Sequence, residues 1–210
     1  MIDRIWVTTH NSSVPRVSEA TKVEYRRRLL EAAAAEFAAK GLDGARVDEI
    51  SLAAGLAKGT IYNYFDSKQH VFREVIAAWF ERIAERRVAV PEDAPVREQL
   101  LAVVQADMEV TGELEEFARV AYREVLRADP TEAAELVPSR NPVDDDVVAI
   151  IERAQRNGLV SAGRSAISQA RVVAALITGL LFEHWLPDAE LGLADIPELV
   201  VDTYLDGFGL

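Results

Sequence analysis

The stretch VDEISLAAGLAKGTIYNYFDSK, residues 47–68, decides the fold of this chain. Gly55 stands near its centre, between two short runs whose apolar residues recur at helical spacing. A tight turn between two helices needs a left-handed residue, and glycine adopts that conformation at the lowest cost. Ser51 lies four residues earlier and offers a small side chain where two steeply crossing helices come closest. This pattern predicts a helix-turn-helix, the unit whose second helix enters the major groove of DNA.

An ordinary α-hairpin inside a larger helical domain is the alternative to that interpretation. The outer face of the second helix favours DNA binding, because its polar side chains can donate to phosphates and still reach base edges. We expect Thr60 and Asn63 to read bases. We expect the phosphate contacts to come mainly from Lys58, Tyr62 and Lys68.

Residues 27–76 resemble the N-terminal DNA-binding domain of the TetR family of transcriptional regulators. The run AGLAKGTIYNYFDSK, residues 54–68, is the most specific part of the match. The resemblance implies a dimeric regulator, usually a repressor, whose C-terminal helical domain binds a small molecule and then releases DNA. The matching residues are Ala33, Phe37, Gly41, Ile50, Ala54, Gly55, Lys58, Gly59, Thr60, Ile61, Tyr62, Tyr64, Phe65, Lys68 and Val71. The expected DNA-binding residues are Arg46, Lys58, Gly59, Thr60, Tyr62, Asn63, Tyr64 and Lys68.

The chain departs from the family pattern at two helix starts. Ala45 and Arg46 stand where Thr or Ser commonly precedes the family's second helix, and Ala57 stands where Ser commonly precedes the Lys-Gly-Thr run. A side-chain oxygen at an N-cap contributes about 1 kcal/mol to helix stability. We therefore expect both helices to lack that cap, while Arg46 adds a positive charge beside the DNA.

The composition excludes several classes of protein. The chain has 210 residues, half of them apolar, which is enough for one or two domains with a buried core. It has no cysteine, which excludes disulfides, thiolate metal sites and thiol-based redox sensing. Its histidines, His10, His70 and His184, lack the spacing of a helix-borne metal pair, so we expect no metal and no cofactor. The longest apolar run, residues 172–182, is too short to span a bilayer and no secretory signal is apparent, so we expect a cytoplasmic protein.

The net charge of −12 is unevenly distributed along the chain. Residues 1–70 hold ten Lys and Arg against nine Asp and Glu, a net charge of +1, whereas residues 71–210 hold thirteen against twenty-six, a net charge of −13. The acidic character is thus confined to the second part. DNA repels that part, so binding should be orientation-specific and sensitive to salt.

The pattern predicts an all-α chain in three parts. Residues 1–20 lack periodicity and form either a disordered leader or an arm that contacts the minor groove through Arg16 and Lys22. Residues 21–70 form a three-helix DNA-binding domain. Residues 71–210 form a helical domain for ligand binding and dimerisation, and its first helix links the two domains as a candidate lever.

Basic residues at two helix starts have alternative interpretations. Arg26, Arg27 and Arg28 begin the first helix and either form a solvated face or contact phosphate. Lys68 lies in the first turn of the linking helix, where a cation opposes the helix dipole. A DNA phosphate at the same helix start would relieve that cost. Lys68→Gln is therefore expected to weaken DNA binding and to leave stability nearly unchanged.

Prolines and glycines divide the second part into helices. Asn141, Pro142 and the acids at 144–146 have the composition of a metal cluster, but they also fit a helix cap, a proline at the first helical position and acids in the first turn, which we favour. The predicted helices are at about residues 96–110, 114–128, 131–136, 143–157, 165–185 and 196–208.

Two sets of residues in the second part are candidates for ligand and dimer contacts. Bulky side chains between residues 96 and 185 can line a mostly apolar pocket: Met108, Phe117, Tyr122, Phe182 and Trp185, with Arg119, Arg123 or His184 as polar anchors. Small and apolar residues of the last two long helices form either an intramolecular core face or the four-helix dimer interface that the resemblance implies: Ala170, Ala174, Ile177, Thr178, Leu181 and Tyr204.

The function we favour is a regulator that binds a palindromic DNA operator as a homodimer and is released by a small-molecule effector through a shift between subunit arrangements. Repression rather than activation follows from the family habit alone. A DNA-binding dimer controlled by a protein partner is the alternative. An enzyme is disfavoured, and we expect no catalytic residues, because the sequence has no Gly-rich phosphate loop, nucleophile elbow or metal-ligand spacing.

Overall fold

The computed structural model describes residues 18–138 and 141–209, which form a bundle of α-helices. Apart from an isolated bridge between Val160 and Gly209, these residues contain no β-structure, and the predicted all-α fold is confirmed. A short 3-10 helix lies between the second and third α-helices, at Thr60–Asn63. The α-helices are α1 (Glu19–Gly44), α2 (Val47–Ala53), α3 (Lys68–Arg86), α4 (Val96–Glu113), α5 (Glu115–Arg127), α6 (Pro130–Leu136), α7 (Pro142–Arg156), α8 (Ala166–His184) and α9 (Ile196–Phe208).

Helix α1 begins earlier than the sequence predicts. Ser18 is its N-cap, because the Ser18 Oγ accepts a hydrogen bond from the Thr21 backbone N–H at 3.1 Å. The last residues of the predicted arm are therefore helical. The remainder of that arm, residues 1–17 with Arg16, lies outside the described residues. At Gly41, three residues before the end of α1, the backbone kinks with φ of 69° and ψ of 175°, a conformation that glycine adopts at the lowest cost.

Buried aromatic rings connect the first helices to the second part of the chain. Phe37 of α1 lies 5.0 Å from Phe72 of α3, measured between ring centroids, and Phe72 lies 5.6 Å from Phe117 of α5. Trp79, two turns further along α3, lies 6.3 Å from Phe117 and 6.0 Å from Tyr122. Aromatic pairs at these distances stabilise a core beyond the area that they bury. The hydrophobic core is thus continuous across α3, and the domain boundary at residue 70 remains a prediction.

The second part contains the six predicted helices, with ends within three residues of the predicted positions. Helix α4 packs against α3, α7 and α9, and α8 packs against α7 and α9. The cap interpretation of Asn141 is confirmed, because its Oδ1 accepts a hydrogen bond from the Val143 backbone N–H at 3.0 Å.

Helix α8 is the most apolar of the described helices that are long enough to cross a membrane, and by length and composition alone it qualifies as a span. The helix is longer than the apolar run at residues 172–182, from which the sequence analysis expected no membrane span. One third of its most apolar 18-residue window is buried within the bundle. Core helices of water-soluble proteins meet the same criterion, so this property by itself identifies only an apolar helix.

Candidate functional site

The turn at the centre of the decisive stretch has the predicted geometry. Gly55 is left-handed, with φ of 70°, and Ser51 is completely buried. The Ser51 Oγ accepts a hydrogen bond from the Ile61 backbone N–H at 3.3 Å, which ties α2 to the element after the turn. That element is the single turn of 3-10 helix at Thr60–Asn63, which follows Gly59 at φ of 80°.

Both side-chain caps that the sequence lacks are also missing in the structure. Arg46 is the N-cap of α2 and Gly59 is the N-cap of the 3-10 helix, and neither provides a side-chain hydrogen bond. Glu36 of α1 contacts the start of α2 in a different way, because its Oε1 accepts from the backbone N–H of Arg46 itself at 3.2 Å. Burial opposes the charged carboxylate, but hydrogen bonds from Lys40 and from Arg46 outweigh burial and lower the pKa of Glu36. Sequence reasoning missed Glu36 because it lies ten residues before Arg46, its hydrogen-bond partner.

Five of the predicted DNA-binding side chains are accessible, and we call them the reader surface. The Tyr62 side chain is 57% exposed, so its hydroxyl is available to a partner. Arg46 and Lys58 form no ion pair within the described parts of the chain, so their charges are available to phosphates. Thr60 is half-buried, whereas the other four side chains of the reader surface are exposed: Arg46, Lys58, Tyr62 and Asn63.

Gly59 and Tyr64 have structural roles beside the reader surface. A Cβ added at Gly59 would meet no atom within 4 Å, so the positive φ, and not crowding, favours glycine there. The Tyr64 ring is half-buried and packs against Phe65, with ring centroids 6.3 Å apart. DNA contact by these two residues remains a prediction.

The Lys68 ammonium is already bound within the protein. Its Nζ donates to the backbone carbonyl of Asp43 at 2.9 Å and to that of Ala45 at 3.2 Å. Lys68 therefore fastens the start of α3 to the connection between α1 and α2. The expectation that Lys68→Gln leaves stability nearly unchanged needs correction, because the substitution removes both hydrogen bonds. A phosphate contact by Lys68 stays a prediction.

The arginines at positions 26–28 also have partners within the chain. These contacts balance or occupy the three guanidinium groups in the free protein, which favours a structural role over phosphate contact. Arg28 in particular holds the turn before Gly55. The partners are the Glu74 carboxylate for Arg26, the Glu24 and Glu31 carboxylates for Arg27, at 2.7 and 2.5 Å, and the Ala54 backbone carbonyl for Arg28.

The reader surface lies within the segment that matches a known protein family. Residues 29–75 match the family model described as bacterial regulatory proteins, tetR family. Over 61 residues the chain is 44% identical to the uncharacterised HTH-type transcriptional regulator YdgC of Bacillus subtilis, a match that covers 29% of this chain and 31% of YdgC. Over 183 residues it is 28% identical to the HTH-type transcriptional repressor BepR of Brucella suis, covering 81% of this chain and 85% of BepR. Residues 29–75 are thereby identified as the DNA-binding domain of the TetR family of transcriptional regulators.

The TetR-family fold extends over both parts of the chain. The structure of the transcriptional regulator FadR from Bacillus subtilis, in complex with stearoyl-CoA, superposes with a TM-score of 0.70 at 20% sequence identity. That match covers 86% of this chain and 98% of FadR. The family consists of DNA-binding transcriptional regulators and not of enzymes. Contact of the reader surface with DNA remains a prediction.

The second part of this TetR-family chain contains a cavity of about 90 Å³. Helices α3, α4, α5, α7 and α8 surround it. Trp79 and Phe80 line it from α3, and Tyr122 lines it from α5. Two acids, Asp107 of α4 and Asp144 of α7, also line it. Helix α3, which carries the two aromatic residues, also joins the reader surface to this part of the chain.

Of the five predicted pocket residues, only Tyr122 lines this cavity. Phe117 is 2% exposed and belongs to the aromatic core described above. Met108 is buried beside a separate, shallow surface depression. Phe182 and Trp185 pack on the Tyr122 ring from outside the cavity lining, with centroids at 6.3 and 5.7 Å. These residues were predicted from side-chain size, which does not reveal the face of the helix that a cavity occupies.

The three predicted polar anchors are engaged elsewhere, and none of them lines the cavity. Arg119 and His184 contact a helix end and a loop, and Arg123 pairs with its neighbour on α5, so this part of the prediction is corrected. Arg119 donates to the Trp185 carbonyl at 3.3 Å, Arg123 forms an ion pair with Glu124 at 3.1 Å, and the His184 Nδ1 lies 2.7 Å from the Leu191 carbonyl oxygen.

Sequence reasoning missed the cavity residue Asp107, although the sequence contains a signal that could have identified it. It falls on the apolar stripe of α4, at helical spacing from the buried Val103 and Val104, where a carboxylate is unexpected. The Thr111 hydroxyl donates to the Asp107 Oδ1 at 3.1 Å. Burial raises the pKa of Asp107 to about 6, the Thr111 hydrogen bond opposes that shift, and the charge of Asp144 adds to it.

The face predicted as the dimer interface lies inside the chain, so that assignment is corrected. Leu181 is fully buried, and Tyr204 is 1% exposed and donates to the Gln169 Oε1 at 2.6 Å. The remaining four residues line the cavity: Ala170, Ala174, Ile177 and Thr178. The small residues allow α8 to approach its neighbours within one subunit, which is the intramolecular alternative that the sequence left open. The periodicity identified a packed face but could not show which partner packs on it.

Proposed function

We propose that this TetR-family regulator is a ligand-responsive repressor that binds a palindromic operator as a homodimer in the cytoplasm and is released from DNA by a small molecule. The observation that carries this proposal is the position of α3. Its first residue, Lys68, is bonded beside the reader surface, and Trp79 and Phe80 line the cavity. A ligand that changes the shape of the cavity therefore acts on α3, the same helix that holds the DNA-binding elements.

Two linked readers bind a palindrome far better than one, which supports the dimer. The outward face of α8 offers a surface for the second copy, because it is exposed and poor in charge. Phe182 is 39% exposed and Ile167 is 55% exposed at the two ends of this face. Between them, at steps of four residues, stand Arg171, Ala175 and Gly179. We assign the dimer interface to this outward face of α8 instead of the buried face that the sequence predicted.

Coupling between the cavity and the reader surface is expected to pass through packed aromatic rings. The Trp79 ring contacts Tyr122 at the cavity and Phe117 in the core. Phe117 in turn contacts Phe37 and Phe72, which pack the DNA-binding helices onto α3. A ligand that favours a different position of Trp79 thereby favours a different spacing of the two readers.

The proposal is tested by measuring the fluorescence anisotropy of a labelled palindrome selected by the protein from genomic fragments, over a range of salt and protein concentrations. We expect saturable binding with two subunits per palindrome, and we expect the affinity to fall steeply as the salt concentration rises. Candidate effectors are then added to the saturated complex. Release of the palindrome supports the proposal, whereas binding no tighter than to a random duplex contradicts it.

The reader surface is tested by the double variant Lys58→Ala/Tyr62→Phe. It is expected to lower operator affinity about 10-fold and to reduce the salt slope by about two, because each of the two subunits loses the Lys58 phosphate contact and the counterion that this contact releases. The control is Arg127→Ala, which removes an exposed charge at the end of α5, and its affinity is expected to match that of the wild type. An unchanged affinity and salt slope in the double variant would show that these side chains do not contact phosphate.

A DNA-binding dimer controlled by a protein partner is the second candidate function. It predicts that no small molecule changes the thermal stability of the protein, whereas a ligand-responsive repressor is stabilised by its effector. The cavity lined by aromatic and charged residues favours the small molecule.

A further inference from the structure

The cavity between α3 and α8 is distinguished by its charge. Asp107 and Asp144 both line it, and no Lys, Arg or His does so among the described residues. Neither acid forms an ion pair within the described parts of the chain. The hydrogen bond from the Thr111 hydroxyl to Asp107 is a weak substitute for a counter-charge. A negatively charged cavity of this kind favours a ligand of opposite sign.

The aromatic lining points to the same class of ligand. Trp79 and Phe80 stack with ring centroids 5.8 Å apart, and the Tyr122 ring meets Trp79 nearly edge-on at 6.0 Å. The faces of such rings attract cations through their quadrupoles, most strongly when water is excluded. Trp79 is only 3% exposed, and its indole N–H has no hydrogen-bond acceptor among the described residues. Buried donors are rarely left unsatisfied, so this N–H can donate to an acceptor atom on a ligand.

The size of the cavity limits the ligand. Its volume of about 90 Å³ is below the range of roughly 300–1,000 Å³ that holds drug-sized ligands. A compact ligand of a few heavy atoms fits without rearrangement. The stearoyl-CoA bound by FadR differs in both respects, because it is long and anionic. Two carboxylates would repel its charged groups.

We propose that the cavity binds a compact organic cation, a protonated amine or a quaternary ammonium, between the carboxylates of Asp107 and Asp144 and the aromatic side chains of Trp79, Phe80 and Tyr122. The cation provides the counter-charge that both acids lack, and an acceptor atom on the same molecule satisfies the Trp79 N–H. This inference rests on the proposed function, because the cation takes the place of the effector.

The experiment is isothermal titration calorimetry of the full chain at constant ionic strength with three probes of similar shape. The probes are tetramethylammonium, the neutral neopentyl alcohol and the anionic pivalate. We expect tetramethylammonium to bind once per chain and to raise Tm, while the other two probes do neither. In Asp107→Asn its affinity falls about 10-fold, and in Asp144→Asn it falls less, because Asp144 is exposed at the edge of the cavity.

The matched control is Glu109→Gln. Glu109 lies two residues from Asp107 on α4 and outside the cavity lining, so this variant changes the net charge equally and should keep the affinity of the wild type. Operator anisotropy is measured on the same samples. Cation binding that depends on Asp107 supports the inference, and operator release by the cation supports the proposed function as well.

The two proposals fail in different ways. The cation assignment is overturned if neopentyl alcohol or pivalate binds as well as tetramethylammonium, if no probe binds, or if Asp107→Asn leaves the affinity unchanged. The proposed function survives those results if another molecule releases the operator. Cation binding that leaves operator affinity unchanged would support the site and contradict its role as the effector site.

Discussion

The reader surface and the cavity use charge in opposite ways. Within the described parts of the chain, Lys58 and Arg46 form no ion pair and are exposed to water, which solvates an isolated charge at little cost in free energy. Asp107 also forms no ion pair there, but it lies on an apolar stripe, where burial disfavours the ionised form and raises its pKa to about 6. An unpaired charge on a surface is therefore weak evidence of function, whereas an unpaired charge in a cavity lowers the stability of the free protein, and a ligand can relieve that cost.

The strongest test of this contrast is a pair of substitutions, Asp107→Asn and Lys58→Gln. Above pH 7 the ionised Asp107 destabilises the folded protein, because its pKa is about 6 when folded and about 3.9 when unfolded. Asp107→Asn is therefore expected to raise the free energy of unfolding by roughly 1–3 kcal/mol at that pH. Lys58→Gln is expected to change it by less than about 0.5 kcal/mol.

The pH dependence of the free energy of unfolding provides a second test of the Asp107 charge. The folded state binds the Asp107 proton more tightly, so the penalty is present above pH 6 and disappears as pH falls from about 6 to about 4. Urea unfolding at fixed protein concentration, over pH 4 to 8, should show the two curves of wild type and Asp107→Asn converging at the acidic end. A constant gap between them would show that burial does not raise the pKa of Asp107.

The two left-handed glycines beside the reader surface test whether the shape of that surface depends on backbone geometry. Gly55 and Gly59 are both left-handed, but a Cβ at Gly55 would lie 2.5 Å from the Arg28 guanidinium, whereas a Cβ at Gly59 meets nothing within 4 Å. Gly59→Ala is expected to cost about 1 kcal/mol from backbone strain alone. Gly55→Ala is expected to cost about 2 kcal/mol, because Arg28 must also release the Ala54 carbonyl.

Thermal or urea unfolding measures both glycine variants. Equal losses of stability would mean that the Arg28 contact contributes nothing to the turn. A loss at Gly55 alone would mean that the left-handed conformation at Gly59 carries no strain for alanine.

The Lys68→Gln substitution is expected to change stability as little as Gly59→Ala does. Lys68→Gln removes two hydrogen bonds to backbone carbonyls and is expected to lower the free energy of unfolding by about 1 kcal/mol. Lys58→Gln is the control, because the Lys58 side chain is exposed and has no partner in the described parts of the chain. If the two variants unfold alike, the Lys68 ammonium is free to serve the DNA, as the sequence first predicted.

Local patterns predicted much of this molecule. Gly55, Ser51 and the cap at Asn141 were identified correctly, because turns and caps depend on neighbouring residues. The helix ends in the second part were also predicted, since proline and glycine mark them. The pocket was not: Phe117 and Met108 are as apolar as Trp79 and Phe80, and their size does not show which of them faces a cavity.

By itself, the sequence determined the helical class and the helix-turn-helix, because these follow from spacing within a few residues of one another, and its resemblance over residues 27–76 indicated the family. Only the tertiary structure decided which partner each face meets. The small residues of α8 line a cavity within the chain, and Lys68 binds the end of α1. Asp107 lines the same cavity as aromatic side chains from α3 and α5. These contacts join residues far apart in the chain, and their energies depend on burial and distance, which spacing along one helix does not contain.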